Sequence, residues 1–160
     1  MDADARPHAG GISYEHFETI APGARAALQA MGKAVDDSGL EKMLTELIKL
    51  RVSQINGCAF CIQFHLNIAR RLGVAAAKLD LVAAWRDAGV FSERELAALA
   101  WAEHVTKLDD GETTEQLRAS LRGHFSDDEI VHLTVAIANI NAWNRIAGTL
   151  HFPPPIPRSA

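Results

Sequence analysis

The chain's only two cysteines, Cys58 and Cys61, stand three residues apart, and His65 follows one helical turn later in the string Gly57-Cys58-Ala59-Phe60-Cys61-Ile62-Gln63-Phe64-His65. On a helix, at ~100° per residue, these three side chains fall within an arc of about 60°. Thiols at i and i+3 lie roughly 5 to 5.5 Å apart between Cα atoms, inside the range a disulfide accepts, so the pair can cycle between dithiol and disulfide without unfolding. A free thiol ionises near pH ~8.5 and an apolar site raises that value, so a reactive cysteine here needs a compensating effect. Unpaired amides at a helix N-terminus favour a thiolate on Cys58 or Cys61, and His65 can accept a thiol proton if a carboxylate orients it.

The carboxylate is expected from the preceding helix. Residues 39–55 read as a helix that ends at the breaker pair Asn56-Gly57, with Asn56 also suited to cap the next helix over 57–72. So tight a connection predicts an antiparallel hairpin. With ~1.5 Å of rise per residue on both arms, Glu46 then comes level with residues 66 or 67, beside His65. Glu46 borders the apolar stripe Leu40, Met43, Leu44, Leu47 and Ile48, which predicts partial burial. Glu46, His65 and a cysteine would form a relay of orienter, base and nucleophile.

Other uses of the same residues carry different physics. A structural disulfide across four residues would restrict the unfolded chain very little. Zinc could recruit Cys58, Cys61, His65 and Glu46 as four ligands, although structural zinc sites draw more heavily on Cys and His. Covalent haem attachment needs a histidine directly after the second cysteine, where this chain has Ile62.

The elements that must hold this centre are all helical. Ser38-x-x-Glu41, Ser92-x-x-Glu95, Thr113-x-x-Gln116 and Ser126-x-x-Glu129 each match a capping box ahead of an apolar-periodic run, and no segment alternates as a strand would. The pattern predicts helices over 14–20, 22–37, 39–55, 57–72, 75–86, 92–108, 113–124 and 127–149, an all-α bundle without an internal repeat. We expect one domain over 12–152. A loose segment, 1–11, precedes it, and a tail, 153–160, opens with Pro153-Pro154-Pro155-Ile156-Pro157.

At 160 residues and 48% hydrophobic content the chain can bury a core without staples. Net charge is −4, and the basic residues are scattered, so neither a nucleic-acid footprint nor a membrane-binding patch is expected. No apolar run approaches ~18 residues, and the start lacks the apolar stretch of a signal peptide, so a cytoplasmic setting is expected. There a lone Cys-x-x-Cys is redox-active or metal-binding more often than structural. His104 and the cluster Asn139, Asn141, Asn144 and Arg145 are expected to serve packing or interfaces. Phe60 and Phe64 fall on a different helical face from the cysteines. Together with the segments around Trp85, Trp101 and Trp143 they leave apolar surface in excess of one core, which predicts a homo-oligomer.

The pattern Glu46-x11-Cys58-x2-Cys61-x3-His65 resembles the core of the AhpD-like alkylhydroperoxidases of the carboxymuconolactone decarboxylase superfamily. The likeness covers roughly residues 40–110, and Ser92-Glu93-Arg94-Glu95 and Ile140-Asn141-Ala142-Trp143-Asn144-Arg145 also resemble small single-domain members. The resemblance implies an AhpD-like helical bundle assembled as a trimer or hexamer, with Glu46, Cys58, Cys61 and His65 as a thiol redox centre and proton relay. It implies reduction of alkyl hydroperoxides or electron transfer to a peroxiredoxin, with a dihydrolipoyl protein or another dithiol as reductant and no separate cofactor or metal. In the family-type scheme Cys61 meets the peroxide and Cys58 exchanges with the reductant. Two alternatives stay open: a disulfide reductase serving a peroxiredoxin without peroxidase activity of its own, and a non-catalytic redox-sensing or zinc-binding oligomer. One departure stands out. The best-known peroxidase relatives carry a histidine just before the second cysteine, and this chain carries Phe60, which bears on rate and partner choice. The decarboxylase branch lacks the cysteine pair, so its lactone chemistry is a poor fit.

Overall fold

Helix follows helix wherever the sequence supplies an apolar stripe between breakers. The computed structural model describes residues 9–108 and 114–158, and no strand occurs among them. The helices are α1 (Tyr14–Ile20), α2 (Pro22–Asp37), α3 (Lys42–Ile55), α4 (Ala59–Leu72), α5 (Ala76–Leu81), α6 (Trp85–Ala88), α7 (Glu93–Lys107), α8 (Thr114–Arg122) and α9 (Asp127–Thr149). None is long and apolar enough to cross a membrane.

Two of the expected capping boxes form in full. Ser92 and Ser126 each accept the backbone N–H of the glutamate three residues on, Glu95 and Glu129, whose carboxylates return a bond to the serine N–H. Ser38 does something else. Its hydroxyl donates to Val35 O and accepts from Leu40 N, closing the end of α2, while α3 begins only at Lys42 behind Glu41. Glu41 is drawn away by Arg94, which holds both of its carboxylate oxygens. Thr113, most of the N-terminal segment (residues 1–8), and the last two residues of the tail lie outside the described residues.

The single helix expected over 75–86 is broken into α5, a 3₁₀ turn over Val82–Ala84 and α6. Leu79, Val82 and Trp85 are the buried residues of this stretch, at a spacing of three. A 3₁₀ turn stacks i and i+3 on one line, so the tighter winding aims all three inward.

The core is built around α3, whose residues Leu47, Ile48, Leu50 and Val52 are fully enclosed and which packs against α4, α7 and α9. Its connection to α4 turns at Asn56 and Gly57, the latter at φ +65°, a left-handed conformation that glycine adopts without Cβ strain. The antiparallel hairpin α3–α4 is thereby set, and α9 closes over its turn. A Cβ at Gly148 would stand 3.9 Å from Cys58 Cβ. The tail runs back across α4, where Asn67 Nδ2 donates to Pro155 O.

Candidate active site

The cysteine pair sits where the hairpin turns. Cys58 N donates to Ser53 O, and Cys58 itself is the N-cap of α4, its Sγ accepting the Cys61 N–H at 3.3 Å. Asn56 was the expected cap. It ends α3 instead, with its side-chain amide donating to Asn141 Oδ1 (3.0 Å) and Asn144 Oδ1 (2.9 Å) on α9. Two acceptors on α9 hold the Asn56 side chain, and a sulfur takes over the capping bond that a serine or aspartate oxygen usually makes.

That capping geometry separates the two thiols. The Cys61 thiol donates to Cys58, and this outweighs the opposing effect of burial. The N–H groups of Cys61 and Phe60 and the Asn144 side chain add to it, bringing Cys58 down from 9.0 to about 7. As the donor of that bond, and being buried, the Cys61 thiol is pushed well up. Both sulfurs belong to buried residues, Cys58 1% and Cys61 3% exposed.

Glu46 and His65 meet as the hairpin geometry predicts, with His65 Nδ1 2.6 Å from Glu46 Oε2. Burial of Glu46 is complete, beyond the partial burial expected. Desolvation alone would raise its carboxyl, but the bond to His65, the charge that His65 takes on in acid, and the Lys49 ammonium 3.0 Å from Oε1 hold it down at about 2. Lys42 Nζ adds a second ammonium 3.2 Å from the same oxygen. Burial in turn pushes His65 below its ordinary value, against the pull of Glu46. A neutral imidazole beside an ionised carboxylate must present its N–H from Nδ1, which leaves Nε2 as a free base.

A cavity of about 650 Å³ opens onto this centre. Cys61, His65, Glu46 and Lys49 line it, and Cys58 does not. Phe60 and Phe64, expected on another face, share the wall with Cys61 and His65, because the cavity is wide enough to span both faces of α4. Asn139 also lines it, with its Nδ2 bonded to Leu28 O and its buried Oδ1 without a partner. His104 lies apart from the cavity, its Nε2 2.8 Å from Thr114 Oγ1. Arg145 donates to Asn141 within α9. Among the described residues no group of three or more His, Cys, Asp or Glu converges as a metal site would.

Two contributors escaped the sequence reading. Lys49 is i+3 from Glu46 and Lys42 is i−4, spacings that put both beside it on α3, and this signal was available. Asn144 touches the thiols only because α9 crosses the hairpin turn, which no local spacing announces.

The carboxymuconolactone decarboxylase family model matches residues 22–104. The uncharacterized protein YdfG of Bacillus subtilis is 37% identical over 131 residues, 82% of this chain and 89% of its own. Among solved structures, a protein of unknown function from Agrobacterium tumefaciens, described as a candidate AhpD antioxidant defence protein, superposes with a TM-score of 0.83 at 41% identity, over 88% of this chain and 97% of its own. An uncharacterized peroxidase-related protein from Ralstonia eutropha with an AhpD core superposes with a TM-score of 0.76 at 28% identity, over 87% and 74%.

Proposed function

This chain belongs to the carboxymuconolactone decarboxylase family, on its AhpD-like side, and on that footing we propose that it is a thiol-dependent peroxidase that reduces alkyl hydroperoxides through Cys58 and Cys61. The observation that carries the reading is the placement of Cys61 and His65 side by side on one cavity, with Glu46 behind His65 and a second thiol in contact with the first.

The steps follow from those positions. Cys61 sulfur attacks the terminal peroxide oxygen as its proton leaves the bond to Cys58 for His65 Nε2, so no free Cys61 thiolate has to form beforehand against its raised value. The S–O bond forms as the O–O bond breaks, and the leaving alkoxide receives the proton from His65 and departs as the alcohol. Cys61 is now a sulfenic acid. The Cys58 thiolate attacks its sulfur, the S–O bond breaks, and hydroxide leaves as water with one added proton, giving the Cys58–Cys61 disulfide. An external dithiol restores both thiols and is itself oxidised to a disulfide.

We propose one change to the family-type scheme, at the step that meets the reductant. Cys61, not the enclosed Cys58, faces the space through which a reductant arrives. Attack on Cys61 sulfur expels Cys58 as thiolate, and a thiol brought down to about 7 is the better leaving group of the two. We assign the reductant to the dihydrolipoyl class or another dithiol, the setting to the cytoplasm and the assembly to a homo-trimer or homo-hexamer. The alternative recipient of the electrons is a peroxiredoxin. The enclosure of both sulfurs beside a small-molecule cavity favours a hydroperoxide over a protein disulfide as the oxidant.

The test is consumption of organic hydroperoxide with a dithiol reductant, with free thiols counted before and after oxidation. Wild type should turn over and lose two thiols per chain on oxidation. Cys58→Ser and Cys61→Ser should each abolish turnover. Thiols that stay unreactive toward hydroperoxide would end the assignment.

A further inference from the structure

Three aromatic rings stand in a near-parallel row along one wall of the cavity. Tyr14 and Phe60 have centroids 6.0 Å apart with planes 16° from parallel, and Phe60 and Phe64 follow at 5.9 Å and 18°. One end of the row is closed, because Tyr14 packs on Trp143 and Phe152, and Phe60 meets Phe152 edge-on at 5.3 Å. The other end is open. Phe64 is 44% exposed, and beyond Phe60 its one ring contact among the described residues is the edge of His65, 5.2 Å away.

The three lysines that line the cavity are each paired with a carboxylate. Lys33 pairs with Asp37, Lys42 with Asp36 and Glu46, and Lys49 with Glu46. With its lysines taken, the cavity offers a ligand's body its row of rings. A cavity of about 650 Å³ is of the size that holds drug-like organic molecules, against the ~30 Å³ that one water occupies in the liquid. Offset, near-parallel stacking is a preferred geometry for a further ring, and it adds to what burial alone supplies.

We propose that the cavity takes a hydroperoxide bearing an aromatic ring, the ring continuing the Tyr14–Phe60–Phe64 row on the bare face of Phe64 and the peroxide reaching Cys61. This substrate class rests on the peroxidase reading above. Phe60 is the central ring of the row and gives this chain a stacking surface next to its thiol.

The experiment compares cumene hydroperoxide with its cyclohexyl counterpart, nearly equal in size but without π-electrons. Rates are measured for wild type and Phe64→Leu, alongside calorimetric binding of the two corresponding unreactive alcohols. The aromatic member should be favoured by about two- to tenfold in kcat/KM and in Kd, the worth of a single stacked pair. In Phe64→Leu that ratio should fall to near one. Equal binding of the two alcohols, or a preference that survives Phe64→Leu, overturns the proposal, whatever the turnover. Preferential binding of the aromatic alcohol by a protein that consumes neither peroxide would sink the peroxidase reading and uphold the ring-binding surface.

Discussion

Two carboxylates lie deep in this protein, both held at about pKa 2 against burial, and only one of them, Glu46, lines the cavity beside the thiols. Glu103 on α7 accepts from Arg51 Nε and Nη2, from Trp85 Nε1 at 2.9 Å and from Arg86 Nη1 at 2.6 Å. Every partner is a fixed donor with no basic lone pair to offer, so the cluster ties α3, α6 and α7 together and ends there. Glu46 has two lysines and one histidine, and that histidine lines a cavity that Cys61 also lines. A low carboxyl pKa in the interior is therefore no mark of function by itself. What separates the two regions is a partner able to change protonation near neutral pH and open space beside it.

The sharpest way to break this contrast is to remove the variable partner. In His65→Gln, Glu46 keeps both ammonium groups, so the fold should survive while peroxide turnover falls by about 10²-fold or more, the usual worth of a positioned general base. A His65→Gln protein that keeps its rate would make the Glu46 site as purely structural as the Glu103 site.

The reciprocal change is Glu103→Gln. It leaves Arg51 with its guanidinium partly buried and unpaired, and loss of one member of a buried pair costs about 3 kcal/mol or more. Denaturant unfolding should show a loss of that order, and the folded variant should keep the wild-type kcat. A large fall in kcat at unchanged stability would reverse the roles assigned to the two regions.

How far the sequence carries this contrast depends on which contacts are local. The Glu46–His65 approach was legible because a two-residue breaker between two helices fixes their register, and rise per residue does the rest. Ser92 and Ser126 cap as their spacing predicts even though Lys78 and Arg94 also bind their glutamates, because Oε2 of each carboxylate still accepts the serine N–H. Ser38 and Asn56 depart because distant groups, Arg94 on α7 and the asparagines of α9, claim Glu41 and the Asn56 amide. The Glu103 cluster was not read from the sequence at all. It depends on Trp85 arriving from a 3₁₀ turn, and Glu103 stands 17 to 52 residues from its partners.

Acid should weaken both regions alike. Each carboxyl has a folded value near 2 against 4.5 for the free group, so its contribution is full above about pH 4.5 and is lost as pH falls toward 2. Cys58, lowered from 9.0 to about 7, works in the other window, adding stability as pH rises from 7 to 9. Stability measured against pH should therefore fall on the acid side, and Glu103→Gln should flatten that fall. In Cys58→Ser the rise between pH 7 and 9 should disappear. If that rise persists, the low value does not belong to Cys58.

The smallest effect separates two asparagines on one helix. Asn144 is buried, its Nδ2 donates to Ser53 Oγ at 3.0 Å, its Oδ1 accepts from Asn56, and it contributes to lowering Cys58 behind the larger effect of the Cys61 thiol. Asn139 is also buried, and its amide bonds to α2 at Leu28 O, with no contact to a thiol. Alkylation rate against pH should thus show a midpoint near 7 in wild type. Asn144→Ala should move it upward, while Asn139→Ala should leave it in place. Since each substitution removes one buried amide from the same helix, a general loosening of α9 would shift both midpoints together. A shift confined to Asn144→Ala requires the amide to act on the thiol itself.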